Sequence, residues 1–477
     1  MSAINHRRWW ALILLAGAQF MVIMDTSIIG VALPEMQRDL GFSQGSLQWV
    51  FNAYVVAFGG LLLLGGRLSD LFGARRVFVT GWLILIAGSA VAAAAGTADV
   101  ELLGRAVQGA GGALIAPAAM TLLMMLFGHD SRELTKALAV YGAAAPAGGT
   151  AGVFLGGAIT EWLSWPWLFI LYIPIGVASL AAVPALLPSV KGRGGSVDLI
   201  GAGTATAGLA LAVYAVVQAP ELGWAAPQTL AALAGAAALL TAFVISQRLL
   251  RTPLMPLGVW RTPGLAAGNL AITLLGAAWI PMWYFLNLYL QQVLGYGAFA
   301  SGAALLPMTL LMMVFMTTIT GRLIARFGTK PLIVTGLVVL AAGLGQLSLI
   351  GPEGTFTADV LPGSLVAALG MSLVFIPATM ASIGGARPEQ AGLASGIVNT
   401  TYQVGSALGL AVMTAVATSQ GADRIGDLPA LTSGFQAAFI GAGTVALAGA
   451  ALGLATMRSP KRAAPESAPE PAERTGV

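Results

Sequence analysis

Apolar residues fill this chain in long runs separated by short charged or Pro/Gly-rich breaks. A helix needs about 20 apolar residues to cross a bilayer. Fourteen runs reach that scale: 10–33, 46–65, 77–95, 101–126, 134–158, 167–187, 199–217, 228–247, 264–288, 300–320, 331–349, 361–384, 391–418 and 434–456. In lipid each crossing segment must satisfy its own backbone hydrogen bonds, so helices are expected. The pattern predicts an all-α integral membrane protein with 14 transmembrane helices. The first run lacks a small-residue cleavage site and exceeds the roughly 7–15 apolar residues of a signal core, so it reads as a retained span. From Arg458 onward the apolar residues stop, and a disordered tail is expected over 458–477.

Composition narrows the class. Of 477 residues, 57% are hydrophobic and 9% charged, against about 25% charged in soluble domains. Cysteine is absent, which excludes disulfides and thiolate chemistry, and His6 and His129 are too few for a histidine metal cluster. No P-loop supports ATP hydrolysis. Neither a cofactor nor a metal is expected, and no catalytic constellation suggests an enzyme.

The net charge of +4 follows the membrane rather than a nucleic acid. With the N-terminus cytoplasmic, 20 of the 23 basic residues fall in inner loops and termini. Outer loops hold ten acids, Glu101 among them, and only Arg38 and Arg424. That asymmetry obeys the positive-inside rule and supports an even number of crossings with both termini cytoplasmic, in the plasma membrane.

An internal repeat organises the runs. Gly66-Arg67-Leu68-Ser69-Asp70-Leu71-Phe72-Gly73-Ala74-Arg75 is echoed 255 residues later by Gly321-Arg322-Leu323-Ile324-Ala325-Arg326-Phe327-Gly328-Thr329-Lys330. Pro117-Ala118-Ala119-Met120 is echoed more faintly by Pro377-Ala378-Thr379-Met380. Two pseudo-symmetric six-helix bundles, 1–187 and 263–457, with an inserted helix pair in 188–262, account for the offset. Such bundles place a transporter's site between two halves that rock.

Within the runs one acid and one base stand out, Asp25 in the first and Arg105 in the fourth. An intramembrane charge needs a partner, a proton or a water-filled cavity. One charge of each sign in the same half predicts that they meet. Burial favours the neutral acid and a guanidinium favours the carboxylate, so a change of surroundings would load or release a proton. Gln108, three residues on from Arg105, shares its face. Gly148, Gly152 and Gly156 form a stripe that lets two helices approach closely. Candidate cavity residues are Asn52, Tyr54, Tyr141, Trp279, Trp283, Asn287, Asn399 and Gln403.

These stretches resemble the major facilitator superfamily. The Gly66 to Arg76 segment is similar to its loop 2–3 signature, and Leu102-Leu103-Gly104-Arg105-Ala106-Val107-Gln108-Gly109 to its fourth-helix motif. Met24-Asp25-Thr26-Ser27-Ile28-Ile29-Gly30-Val31-Ala32-Leu33-Pro34 resembles the first-helix motif of the fourteen-helix drug:proton antiporters. Gly148-Gly149-Thr150-Ala151-Gly152-Val153-Phe154-Leu155-Gly156-Gly157 resembles their fifth-helix motif. Departures are Val153 where proline is usual, Pro166 where arginine is common and Tyr172 where asparagine is usual. The resemblance implies a gate built from Gly66, Asp70, Gly73, Arg75 and Arg76, with Asp70 meeting a neighbouring helix end and basic groups. It implies a coupling role for the fifth-helix glycines, Gly157 included.

The expected function is proton-coupled efflux of small amphipathic organic compounds, including drugs and antibiotics, by a monomer whose partners are protons, substrate and lipid. Export of one neutral or anionic metabolite, lipid or pigment stays open, as does a non-transporting sensor or scaffold.

Overall fold

The computed structural model describes residues 2–29, 32–42, 49–189, 192, 198–250, 253, 255–386, 390–422, 424 and 426–457. Gly30 and Val31 of the first-helix motif, and the tail from Arg458, lie outside them. Among the described residues the regular structure is entirely helical.

The long helices, in chain order, are α1 (Ser2–Ile28), α2 (Trp49–Phe72), α3 (Ala74–Ala93), α4 (Ala98–Phe127), α5 (Ser131–Trp162), α6 (Pro166–Leu186) and α7 (Leu199–Leu222). They continue with α8 (Pro227–Leu249), α9 (Leu265–Val293), α10 (Phe299–Phe327), α11 (Thr329–Leu347), α12 (Phe356–Ile383), α13 (Ala391–Ser419) and α14 (Leu428–Thr456). Among the described residues twelve stretches are long and apolar enough to cross a membrane, and α7 and α13 fall outside that set. The described apolar part of α7, Ile200–Val216, is shorter. Helix α13 has 29 residues, but Asn399, Thr400, Thr401, Gln403 and Ser406 dilute its apolar character.

Several predicted limits shift. The first helix stops at Ile28, and a separate short helix, Leu33–Leu40, begins where its apolar run ends. The ninth is prolonged by a π turn, Tyr289–Val293, and the tenth carries another at Met316–Thr320. Helix α4 starts at Ala98, so Glu101 is a helical residue and not a loop acid. The run 101–126 opens on Glu101, and the helix adds the polar turn before it.

Packing in lipid has little hydrophobic drive and rests on close contact between small residues. Gly148, Gly152 and Gly156 of α5 all face α1. A Cβ at Gly148 would stand 2.4 Å from the Phe20 carbonyl oxygen, and one at Gly156 would stand 2.6 Å from that of Ile28. Between α9 and α13 the same device recurs, Gly405 and Gly409 lying against Thr273 and Ala277.

Contacts repeat along the chain. Helix α1 packs on α5 as α9 packs on α13, and α3 packs on α4 as α11 packs on α12. The first six and last six helices meet where α2 lies on α13 and α5 on α10. Helices α7 and α8 pack together, and α7 lies against α2 and α13. Asp198 caps α7 and also accepts from Gln247 Nε2 of α8 at 2.8 Å. Large apolar side chains such as Ile13, Leu83, Leu310 and Leu447 remain on the outside, where a bilayer would cover them.

Candidate functional site

The site is built outward from Asp25, three residues before α1 ends. Arg105 of α4 donates from Nη1 to both carboxylate oxygens of Asp25, at 2.9 and 3.0 Å. Both side chains are sealed from solvent. The same Nη1 donates to Gln108 Oε1 at 2.8 Å, and Nε donates to the Val50 carbonyl of α2 at 2.9 Å. Gln108 passes the network to α3, its Nε2 donating to Ser89 Oγ at 2.8 Å. Four helices are thereby tied through one guanidinium, whose rigid fork suits it to several acceptors.

Aromatic rings enclose the pair. The Arg105 guanidinium carbon lies 4.8 Å from the centre of the Tyr54 ring and 5.8 Å from that of Phe169. Cation–π attraction of this kind strengthens where water is excluded. Tyr54 is itself pinned, its hydroxyl donating to the Val22 carbonyl at 3.1 Å. Tyr54 is thus a wall of the charged site rather than a lining of an open cavity. Tyr172, where the antiporter pattern has asparagine, is fully buried, with its hydroxyl beside the Asp25 carboxyl.

Glu101 is the residue that sequence reasoning missed. It is completely buried in the first turn of α4, one turn before Arg105, and neither carboxyl oxygen has a hydrogen-bond partner. Asp25 is therefore not the one acid inside a helix core. The available signal was the four-residue spacing from Glu101 to Arg105, which places both on one helical face.

The gate residues lie at the other end of α2. Asp70 accepts from the backbone N–H groups of Gly392 and Leu393, both at 2.9 Å. These are orphan donors at the start of α13, which has no side-chain cap of its own. The neighbouring helix end is thus that of α13. Gly66 allows the approach, since a Cβ there would sit 2.6 Å from the Gly392 carbonyl oxygen. Gly73 turns the chain from α2 to α3 at φ 91°, a conformation that side chains other than glycine's resist. Arg75 donates to the Leu187 carbonyl at 3.3 Å, whereas Arg76 is exposed.

The cavity candidates separate. Trp283 of α9 faces Gly149 of α5, its ring 4.0 Å from where a Cβ there would stand. Asn287 accepts from Ser301 Oγ of α10 at 2.5 Å and from Gln291 at 2.9 Å. Asn399 donates to the Ser395 carbonyl within its own helix, and Gln403 is half-buried on the same helix. Tyr141 points the other way, donating to Gln19 Oε1 at 2.9 Å. Asn52 is buried with its Nδ2 unpartnered, Trp279 is buried, and Gly157 is buried in α5. Among the described residues no three metal-binding side chains cluster.

Known proteins share this architecture. The chain is 39% identical to the cephamycin export protein CmcT of Amycolatopsis lactamdurans over 446 residues, covering 93% of this chain and 91% of that one. It is 37% identical to the puromycin resistance protein pur8 of Streptomyces alboniger over 428 residues, covering 89% and 84%. The tetracenomycin C resistance and export protein of Streptomyces glaucescens is 30% identical over 527 residues, covering 100% and 96%. Among solved structures, the fold matches the human organic anion transporter MFSD10 with a TM-score of 0.67 at 16% identity, covering 94% of this chain and 99% of that one. It matches the proton:xylose symporter XylE with a TM-score of 0.68 at 12% identity, covering 95% and 96%. The family model described as Major Facilitator Superfamily matches residues 15–410, and with the helix packing above this means that the chain belongs to the Major Facilitator Superfamily.

Proposed function

We propose that this protein is a proton-coupled secondary transporter that exports amphipathic organic compounds, antibiotics among them, across the plasma membrane. The observation that carries the reading is the sealed Asp25–Arg105 pair, tied into four helices at once. An ion pair at that depth is weak evidence for stability, since desolvation offsets most of its attraction. It makes sense as a group whose charge is meant to change. A proton on Asp25 removes the counter-charge of Arg105, loosens α1 from α2 and α4, and so biases the two halves toward a different tilt. Asp70 latches the halves at the end where α2 meets α13. Trp283, Asn287, Asn399 and Gln403 lie in the second half and Asn52 in the first, as groups a substrate would meet between them.

The topology that goes with this reading has fourteen crossings, α7 and α13 included, with six-helix halves at 1–187 and 263–457 flanking an inserted pair. Both termini face the cytoplasm, as the arginine-rich loops require. Export follows from the names of the relatives, which speak of export and resistance. Each name refers to one compound, which favours a narrow substrate range over a broad one.

A panel of antibiotics and a fluorescent cationic dye, tested in cells expressing the wild type and Asp25→Asn, decides the matter. The wild type should lower accumulation of at least one compound, and collapse of the pH gradient should abolish the effect. Asp25→Asn should lose it while the protein remains in the membrane. Efflux unchanged in Asp25→Asn would remove proton coupling through this residue and leave a gradient-independent role.

A further inference from the structure

Protonating Asp25 alone would strand the guanidinium of Arg105. It is fully buried and permanently charged, and Asp25 is the one acid to which it is hydrogen-bonded. Leaving one member of a buried pair without a counter-charge is strongly unfavourable. A second acid lies within its reach. Glu101 precedes Arg105 by one turn, in the glutamate-first order that favours attraction along a helix. Helical side chains lean toward the N-terminus, so Arg105 projects over the turn that carries Glu101. Both carboxyl oxygens of Glu101 and the Nη2 of Arg105 are buried without a partner. An ionised carboxylate with no donor in so dry a place is costly, whereas the neutral acid is tolerable.

We propose that Glu101 is a second proton-carrying acid of the transport cycle, one that exchanges with Asp25 for the guanidinium of Arg105. This rests on the reading that Asp25 takes up a proton. In the arrangement seen, Asp25 is ionised and paired, and Glu101 keeps its proton. When a proton binds Asp25, Arg105 turns to Glu101, the Glu101 O–H bond breaks, and that proton passes to water once the two halves have tilted. One proton enters and one leaves, and the three side chains have a net charge of zero before and after.

The surroundings suit the exchange. Helix α1 contributes Asp25 and α2 contributes Tyr54, whose ring supports the guanidinium. Helix α6 brings the Tyr172 hydroxyl beside Asp25. The charges of α3 and α5 lie near their ends, as Arg75, Arg76, Arg132, Glu133, Lys136 and an exposed Glu161, and α13 has none. Asp99, on the opposite side of the first turn of α4, is exposed.

Infrared difference spectroscopy on the purified full-length protein in lipid nanodiscs tests this, with protons as the sole ligand. The wild type near neutral pH should show the carbonyl band of a neutral carboxylic acid, absent from Glu101→Gln. Asn at position 25 mimics the protonated acid, so Asp25→Asn should lose the same band, because Arg105 now draws the charge onto Glu101. A purely structural Glu101 would not respond to a change at position 25. A band that survives Glu101→Gln overturns the assignment, and a band that survives Asp25→Asn overturns the exchange. If Glu101→Gln does not fold, Glu101→Asp replaces it, and the band should shift in that variant; an unshifted band overturns the assignment. Efflux that ignores Asp25→Asn would instead defeat the underlying reading, and it is measured separately.

Discussion

Helices α1–α6 and α9–α14 repeat one packing scheme, yet they differ in what they bury. Asp25, Glu101 and Arg105, the fully buried charged residues among those described, all belong to the first set. The second set buries neutral polar groups instead, among them Asn269, Ser301, Thr309, Ser364, Ser372 and Thr379. The loops differ likewise. Asp70 caps α13 from a distance, whereas its repeat position is Ala325, and α5 is capped by its own Asp130, which accepts from Arg132 N–H at 2.8 Å. Duplication supplied the frame twice, while charge and latch were kept on one side. In the proposed cycle one charged half needs one proton pathway, and the other half is left free to meet substrate.

The sharpest break is Arg105→Leu. It leaves Asp25 and Glu101 buried with no cation, and truncating one partner of a buried pair costs about 3–5 kcal/mol. Thermal unfolding in detergent should show a clear loss of stability at neutral pH, recovered in part by adding Asp25→Asn. Next comes Asp70→Ala, which deprives α13 of its cap. Such caps are worth about 1 kcal/mol, so stability should fall slightly while the equilibrium between the tilted states shifts, read by cysteine cross-linking between the ends of α2 and α13. The smallest effect is expected for Ala325→Asp. Asp130 already occupies the start of α5, so a second latch should not form, and efflux and cross-linking should match the wild type. Adding Asp130→Ala should make the new aspartate matter.

Much of this was legible in the sequence because membranes impose simple rules. Long apolar runs marked the helices, and a glycine every fourth residue marked the face of α5 that meets α1. Asp25 and Arg105 are legible as a pair because each is the one charge deep inside its run. Glu101 was not legible: it lies within three residues of Asp99 and a helix start, and a charge near the edge of an apolar run reads as loop. Tyr54 was read as cavity lining since nothing local says that a ring will lie under a guanidinium. The partner of Asp70 required the tertiary fold, because backbone N–H groups carry no sequence signature.

The early stop of α1 at Ile28 has a further consequence. The negative pole of that helix, equivalent to roughly half an electron, comes to rest one turn from Asp25. Peptide carbonyls cannot be mutated away. Part of the counter-charge that Arg105 needs is therefore fixed in the backbone and survives when the carboxylate is neutralised.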